Sequence, residues 1–300
     1  MLKIAYHPIY THPLPEKHRF PMVKYELLPK QLLYEGTCKE ENFFTPNIAD
    51  AAPILTVHTK DYYTSLIELS LDPKTARKIG FPLSKELIDR EMIITDGTIK
   101  ASEYAIQYGI AMNIAGGTHH AYTDRGEAFC LLNDQAIGAR YLLQHNLVKK
   151  VLIVDLDVHQ GNGTAEIFEN DDTVFTFSMH GANNYPFKKE KSDLDIELPN
   201  QTEDHEYLRI LKETLPQLIN DQKPDFMYYL SGVDILSTDK LGKLGCTLSG
   251  CAERDRFVLQ TCKDLDIPVM CSMGGGYSPD IKTIIEAHAN TYRLAQDIFF

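Results

Sequence analysis

Two carboxylates and an imidazole recur at alternate positions in Asp155-Leu156-Asp157-Val158-His159, and these residue types bind metals and carry protons. Directly before them runs Val151-Leu152-Ile153-Val154, apolar at every position, the pattern of a strand buried on both faces of a parallel sheet. Side chains two apart on an extended backbone point the same way. Asp155, Asp157 and His159 are therefore expected to crowd one spot at the strand's carboxyl end. Acids held together there are costly unless a cation sits among them, so the spacing points to a metal site. Gly161 and Gly163 let the chain turn sharply beside it.

Other segments end in the same way. Ile110–Ile114 reads as a strand followed by Gly116-Gly117-Thr118-His119-His120, and Val174–Met179 as a strand ending at His180. Phe226–Leu230 runs into Ser231-Gly232-Val233-Asp234, and Ile267–Met273 into Gly274-Gly275-Gly276-Tyr277. Ligands of open parallel sheets bind outside the carboxyl ends of the strands, so these endings are candidates for one shared site. Asp157, His159 and Asp234 would give three ligands with an open position, the pattern of a catalytic centre. Zinc suits such a set, and Fe(II), Co(II) or Mn(II) would also be accepted. Taken alone, Asp234 is as well explained as a turn or cap residue, and His119-His120 as a surface pair. A histidine beside such an ion can take a proton from water and return it to a leaving amine. Tyr277, aimed inward by flexible glycines, could donate to a developing oxyanion. A phosphate loop is the weaker reading of those glycines, because no G-x-x-x-x-G-K-[ST] occurs.

The elements that position these groups alternate between strand and helix, which predicts an α/β fold with a mainly parallel sheet and one domain over residues 1–300. Met1–Tyr6 reads as a first strand and Ile54–Val57 as a second. Helices are expected near Tyr62–Leu69, from Asp96 to Tyr108, from Asn133 to Gln144, after Thr202 and kinked or tightened at Pro216, from Ser249, and from Ser278-Pro279. His7 and His12 read as turn residues, and Lys188–Asp193 as a solvated loop.

Composition narrows the function classes. A formal charge of −12 over 300 residues disfavours direct nucleic-acid binding and mildly favours cationic substrates, lysine-bearing peptides or polyamines. No apolar run is long enough to cross a bilayer, so no membrane partner and a cytoplasmic location are expected. Six cysteines without a Cys-x-x-Cys predict reduced, mostly buried thiols.

Gly116–Ala121, Phe129–Asp134, Asp155–Gly163, Gly232–Asp234 and Gly275–Tyr277 together resemble, in order, the motifs of the zinc-dependent histone deacetylase family. His18–Met22, His159–Gly163 and Asp124–Gly126 resemble its class IV branch. The resemblance implies a three-layer arginase-like fold around an eight-stranded sheet and hydrolysis of Nε-acyl-lysine or related acylamines. It implies Asp157, His159 and Asp234 as zinc ligands, and His120 as general base and acid with His119 as electrostatic partner. Tyr277 would polarise the carbonyl. Asp155 would orient His119 and, with Ser178 and backbone oxygens of Asp157, His159 and Met179, hold a structural potassium ion. Phe129, Tyr185, Gly275 and Gly276 would line an acyl-lysine channel, with Arg19 at its inner end.

Three positions depart from the family's usual pattern. Asn162 stands where some branches carry an aspartate beside the second histidine, and an amide stabilises an imidazolium less than a carboxylate does. Ala128 replaces a glycine before the Phe-Cys pair, and Glu127 adds a charge near the entrance. The leading expectation is a metal-dependent lysine deacylase. The alternatives are a deacetylase of small acylated amines or polyamines, an acyl-lysine reader with a vestigial site, and, most distantly, an amidase using Cys130.

Overall fold

Apolar runs without alternation build one eight-stranded sheet in a computed structural model that describes residues 1–300. In chain order the elements are β1 (Lys3–Ala5), α1 (Lys24–Tyr34), β2 (Phe43–Phe44), α2 (Ala51–Ile54), α3 (Lys60–Ile67), α4 (Pro73–Ile79) and α5 (Lys85–Tyr108). Then come β3 (Ile110–Asn113), α6 (Asp134–Gln144), β4 (Val151–Asp155), α7 (Asn162–Phe168), β5 (Val174–Gly181) and β6 (Leu194–Leu198). The chain finishes with α8 (Asp204–Gln222), β7 (Phe226–Leu230), α9 (Leu248–Asp264), β8 (Val269–Ser272) and α10 (Ile281–Phe299). The strand order is β2-β1-β3-β8-β7-β4-β5-β6, and every pairing is parallel.

Register is what aligns the site. Asn113 pairs with Ser272, Leu230 with Ser272, and Asp155 with both Leu230 and Ser178. The central strands therefore stop at one level, and the loops that follow them emerge side by side. Every residue of β3, β4, β7 and β8 is buried, as a parallel sheet covered on both faces requires. Helices flank the sheet, with α5 packed on α6 and α10 packed on α1 and α9. One apolar cluster of 78 residues forms the core. No helix is long and apolar enough to cross a membrane. All six cysteines are free and buried, as expected.

Several elements differ from the sequence reading. Ile54–Val57 is no strand: Ile54 closes α2 and the rest is turn, an ambiguity inherent to short apolar runs. The long helix starts at Lys85, well before Asp96, capped by Ser84, whose Oγ accepts from Leu87 N at 3.1 Å. Its first half was hidden because Arg90, Glu91 and Thr95 are buried polar residues that interrupt an apolar stripe, and Gly97 sits within it. β2 and β6 were missed because they are the sheet's edges, and β6 carries Asp195 and Glu197. Thr247 caps α9 rather than Ser249, and Asp280 caps α10 rather than Ser278, which hydrogen-bonds Thr238 at 2.8 Å. Thr202 turns its hydroxyl to Pro199 O and leaves α8 without a side-chain cap.

Candidate active site

β4 ends at Asp155, and the next four residues leave the extended path. Asp155 Oδ1 accepts from Asp157 N at 3.1 Å, and Asp157 Oδ1 accepts from His159 N at 3.0 Å. These local turns separate the side chains that strict alternation would have put together. Asp155 turns aside to His119, while Asp157 and His159 meet Asp234 from the loop after β7. Potential ligand atoms of Asp157, His159 and Asp234 all lie within 4.8 Å of one another, and all three residues are buried.

His159 Nδ1 lies 2.9 Å from Asp157 Oδ1 and 3.2 Å from Asp234 Oδ2. Asp234 Oδ2 has no directed hydrogen-bond partner, an exceptional state for a buried carboxylate oxygen. Burial pushes the Asp234 carboxyl up to about 7, reinforced by the neighbouring charge of Asp157. Burial opposes charge on His159 too, but the two carboxylates outweigh it and lift the imidazole to about 10. An orphaned oxygen inside a buried two-acid, one-imidazole cluster fits a divalent cation.

The glycines make room for that cluster. A Cβ on Gly275 would collide with the Asp234 carboxylate, and Gly275 N donates to Asp157 Oδ2 at 2.8 Å. Gly117, at φ +74, carries the chain into the histidine pair.

His119 and His120 stand with ring centroids 4.0 Å apart. His119 Nδ1 is 2.6 Å from Asp155 Oδ2; burial lowers its proton affinity, yet this carboxylate prevails and raises its pKa. His120 goes the other way. Burial, then the charges of His119 and His159, hold it well below its ordinary value. Its Nδ1 donates to Asn162 Oδ1 at 2.5 Å, and Asn162 Nδ2 donates to Tyr122 Oη at 2.8 Å. Nε2 of His120 is thus left as the free lone pair. Tyr277 completes the ring of groups, 6.4 Å from His159 between centroids, with its N–H donating to Asp239 Oδ2 at 2.6 Å. Burial and the charges of Asp157 and Asp234 raise the Tyr277 phenol well above its normal range, so it stays protonated.

His120, His159 and Tyr277 stand at the waist of a channel. Outside lies a cavity of about 610 Å³ lined by Arg19, Lys78, Tyr185 and Phe187 among others. Inside lies one of about 40 Å³ walled by Phe20, Tyr25, Phe81 and Arg90. His120, Phe129, His159 and Tyr277 line both. Phe129 stands in the wall of both cavities, and Tyr185 meets His120 edge-on at 5.0 Å. Gly275 lines the inner cavity. Gly276 is held at φ +153, with Val233 and His288 beside it. Arg19 does not reach the inner end: it is exposed at the outer cavity, its guanidinium over Phe129 at 4.9 Å. Arg90 of α5 occupies the inner position, bonded to Tyr10 O and paired with Glu91.

Some supporting residues gave no sequence signal. Lys24, fully buried on α1, donates to Gly274 O at 3.1 Å, and burial drops its pKa to about 8 despite Asp234 and Asp157. Arg254 of α9 is wholly buried beneath the ligand loops, donating to Leu156 O, Ser231 O and Gly232 O and pairing with Asp255. In the sequence it sits in a charged helix turn that reads as solvated. Asp134 explains the Phe129–Asp134 motif, because Oδ1 accepts from Thr118 N at 2.9 Å and so anchors the loop bearing both histidines.

The family described as Histone deacetylase domain matches residues 18–292. The chain is 45% identical to an uncharacterized protein of Picosynechococcus sp. over 99% of each sequence. It is 28% identical to histone deacetylase 2 of Arabidopsis thaliana, over 89% of this chain and 72% of that one. It is 29% identical to the acetoin utilization protein AcuC of Staphylococcus aureus, over 87% and 72%. The crystal structure of an HDAC homolog complexed with SAHA matches with TM-score 0.85, over 99% of this chain and 84% of that one, at 24% identity. An HDAC homolog from Aquifex aeolicus gives 0.82 over 98% and 84%, also at 24%. Those two structures establish the shared fold. With the family match spanning most of its length, the chain belongs to the histone deacetylase family.

Proposed function

We propose that this protein is a metal-dependent amidohydrolase that removes acyl groups from Nε-acyl-lysine, on a site resembling the class IV branch. The meeting of Asp157, His159 and Asp234 directly behind a channel waist lined by His159, His120 and Tyr277 carries this reading. A divalent ion on those three ligands, zinc foremost and Fe(II), Co(II) or Mn(II) as alternatives, would supply Lewis acidity toward water and the amide carbonyl.

The other steps belong to side chains. His120, kept neutral by burial and tethered through Nδ1–H to Asn162, takes the proton of attacking water on Nε2 and passes it to the departing amine. His119, whose proton affinity the neighbouring Asp155 raises, favours the anionic intermediate. Tyr277 donates its retained hydroxyl proton to the oxyanion. Phe129 and Tyr185 exclude water from the lysine stem, and Gly275 and Gly276 leave room for the acyl group. A potassium ion on Asp155, Ser178 and the backbone oxygens of Asp157, His159 and Met179 would brace the ligand loop. In its support, no protein donor reaches the carbonyl oxygens of buried Asp157 or His159.

The test is turnover of acyl-lysine peptides of graded acyl length by enzyme loaded with a single defined metal. Acetyl-lysine should be hydrolysed, chelation should abolish activity, and rates should fall once the acyl group outgrows the inner cavity. Activity should survive thiol alkylation, because Cys130 is buried and burial holds its thiol well above the ordinary value. Absence of hydrolysis with all four metals would refute the reading.

A further inference from the structure

The outer cavity carries an unexpected charge. In a chain of net −12, the charged residues lining this mouth are Arg19, Lys78 and Lys243 against the single carboxylate of Glu127. Glu127 is already satisfied: Lys78 Nζ donates at 3.0 Å, Tyr185 Oη at 2.5 Å, and Arg125 Nε lies at 3.4 Å. Asp239, the nearby carboxylate behind the rim, is turned onto the N–H groups of Leu241, Gly242 and Tyr277. Arg19 and Lys243 are both exposed, and neither has an acidic partner.

The cations are held rather than loosely solvated. Arg19 stacks on Phe129, the wall residue shared with the inner cavity. Lys243 Nζ donates to Asn183 O at 2.8 Å, which uses one of its three N–H groups. The opposite loop is braced in turn by Lys189, whose Nζ reaches Ala182 O, Asn184 O and Pro186 O. This places the almost fully exposed Phe187 on the rim. A charged rim selects partners chiefly by sign, attracting one and repelling the other.

We propose that Arg19 and Lys243 form a carboxylate-recognising rim, and that the enzyme prefers acyl-lysine flanked by negative charge over basic peptides or acylated polyamines. The carboxylate is either an acidic side chain next to the acylated lysine or the α-carboxylate of a single acylated amino acid. This rests on the deacylase reading of the channel but is read out separately from it.

The experiment compares labelled acetyl-lysine peptides with acidic, neutral and basic flanks, Nε-acetyl-lysine with a free or amidated carboxyl, and an acetylpolyamine. Both equilibrium binding, by anisotropy or competition, and turnover are measured on the metal-loaded enzyme. The acidic peptide should exceed the neutral one by about three- to tenfold and the basic one by more, a ratio that shrinks at high salt. Arg19→Gln with Lys243→Gln should bring the acidic-to-neutral ratio towards one. A preference restricted to the free amino acid identifies the α-carboxylate as the recognised group; one restricted to peptides identifies acidic side chains. Equal or tighter binding of basic peptides or the polyamine, or a ratio unmoved in the double variant, overturns the proposal. Loss of all turnover with the binding order intact would refute the deacylase reading and leave the rim standing.

Discussion

At the scale of single residues, the candidate site divides labour by environment. Two adjacent histidines share one cavity, but a carboxylate raises the pKa of His119, while burial and the charges of His119 and His159 hold His120 low against only an amide at its Nδ1. Pairs of titratable groups pushed apart in this way assign acid and base roles. His120→Ala should lower kcat about 100-fold or more, and Tyr277→Phe about 100- to 1000-fold, both with metal content unchanged by elemental analysis. Full kcat in Tyr277→Phe would remove the oxyanion role. Asn162→Asp probes the amide directly. A carboxylate on Nδ1 stabilises the imidazolium, raises the pKa of His120, and must move the acidic limb of the kcat/KM profile to higher pH. An unmoved limb would mean that His120 is not the base.

At the scale of elements, the ligand loops depend on helices that never touch the channel. Arg254 from α9 ties together the carbonyls beside Asp157 and Asp234. Arg254→Met leaves Asp255 buried without its cation. It should cost about 3 kcal/mol or more in urea unfolding and about 10- to 100-fold in metal affinity. A variant that loses stability but keeps metal affinity would reduce Arg254 to a packing role. His58 plays a similar part for the motif loop. Its Nδ1 donates to Tyr122 O at 2.9 Å, and its Nε2 accepts from Asn133 N at 3.0 Å, so only the neutral ring fits. Burial depresses its pKa to about 4. The unfolded chain therefore binds this proton more readily than the fold does. Its contribution is complete above about pH 6.5 and is lost as pH falls toward 4, about 3 kcal/mol in all. Denaturant midpoints measured across that window should show the slope, and His58→Gln should flatten it.

At the scale of the whole molecule, the candidate metal ligands come from the loops after β4 and β7, and the parallel register brings those strand ends level. Metal binding should therefore stabilise the entire fold, by about 2.7 kcal/mol at one hundred times the dissociation constant. Thermal unfolding with and without chelator measures this, and Asp157→Ala or Asp234→Ala should abolish the difference. Much of this arrangement was legible beforehand. Unbroken apolar runs marked β3, β4, β7 and β8, and the polar residues that follow each run marked the site, because a strand buried on both faces cannot carry such groups within it. Local patterns failed where burial was polar or exposure partial: the first half of α5, edge strand β6, Lys24 and Arg254 look solvated in sequence and are not. Arg19 marks the same boundary. Sequence order places it near the channel, but only tertiary packing decides that it faces the mouth while Arg90, far along the chain, fills the inner end. Residue type and spacing determined which chemistry the strand ends could carry, since those follow from backbone periodicity. Which charges share a cavity, and which are already neutralised, depends on long-range contacts that periodicity does not encode.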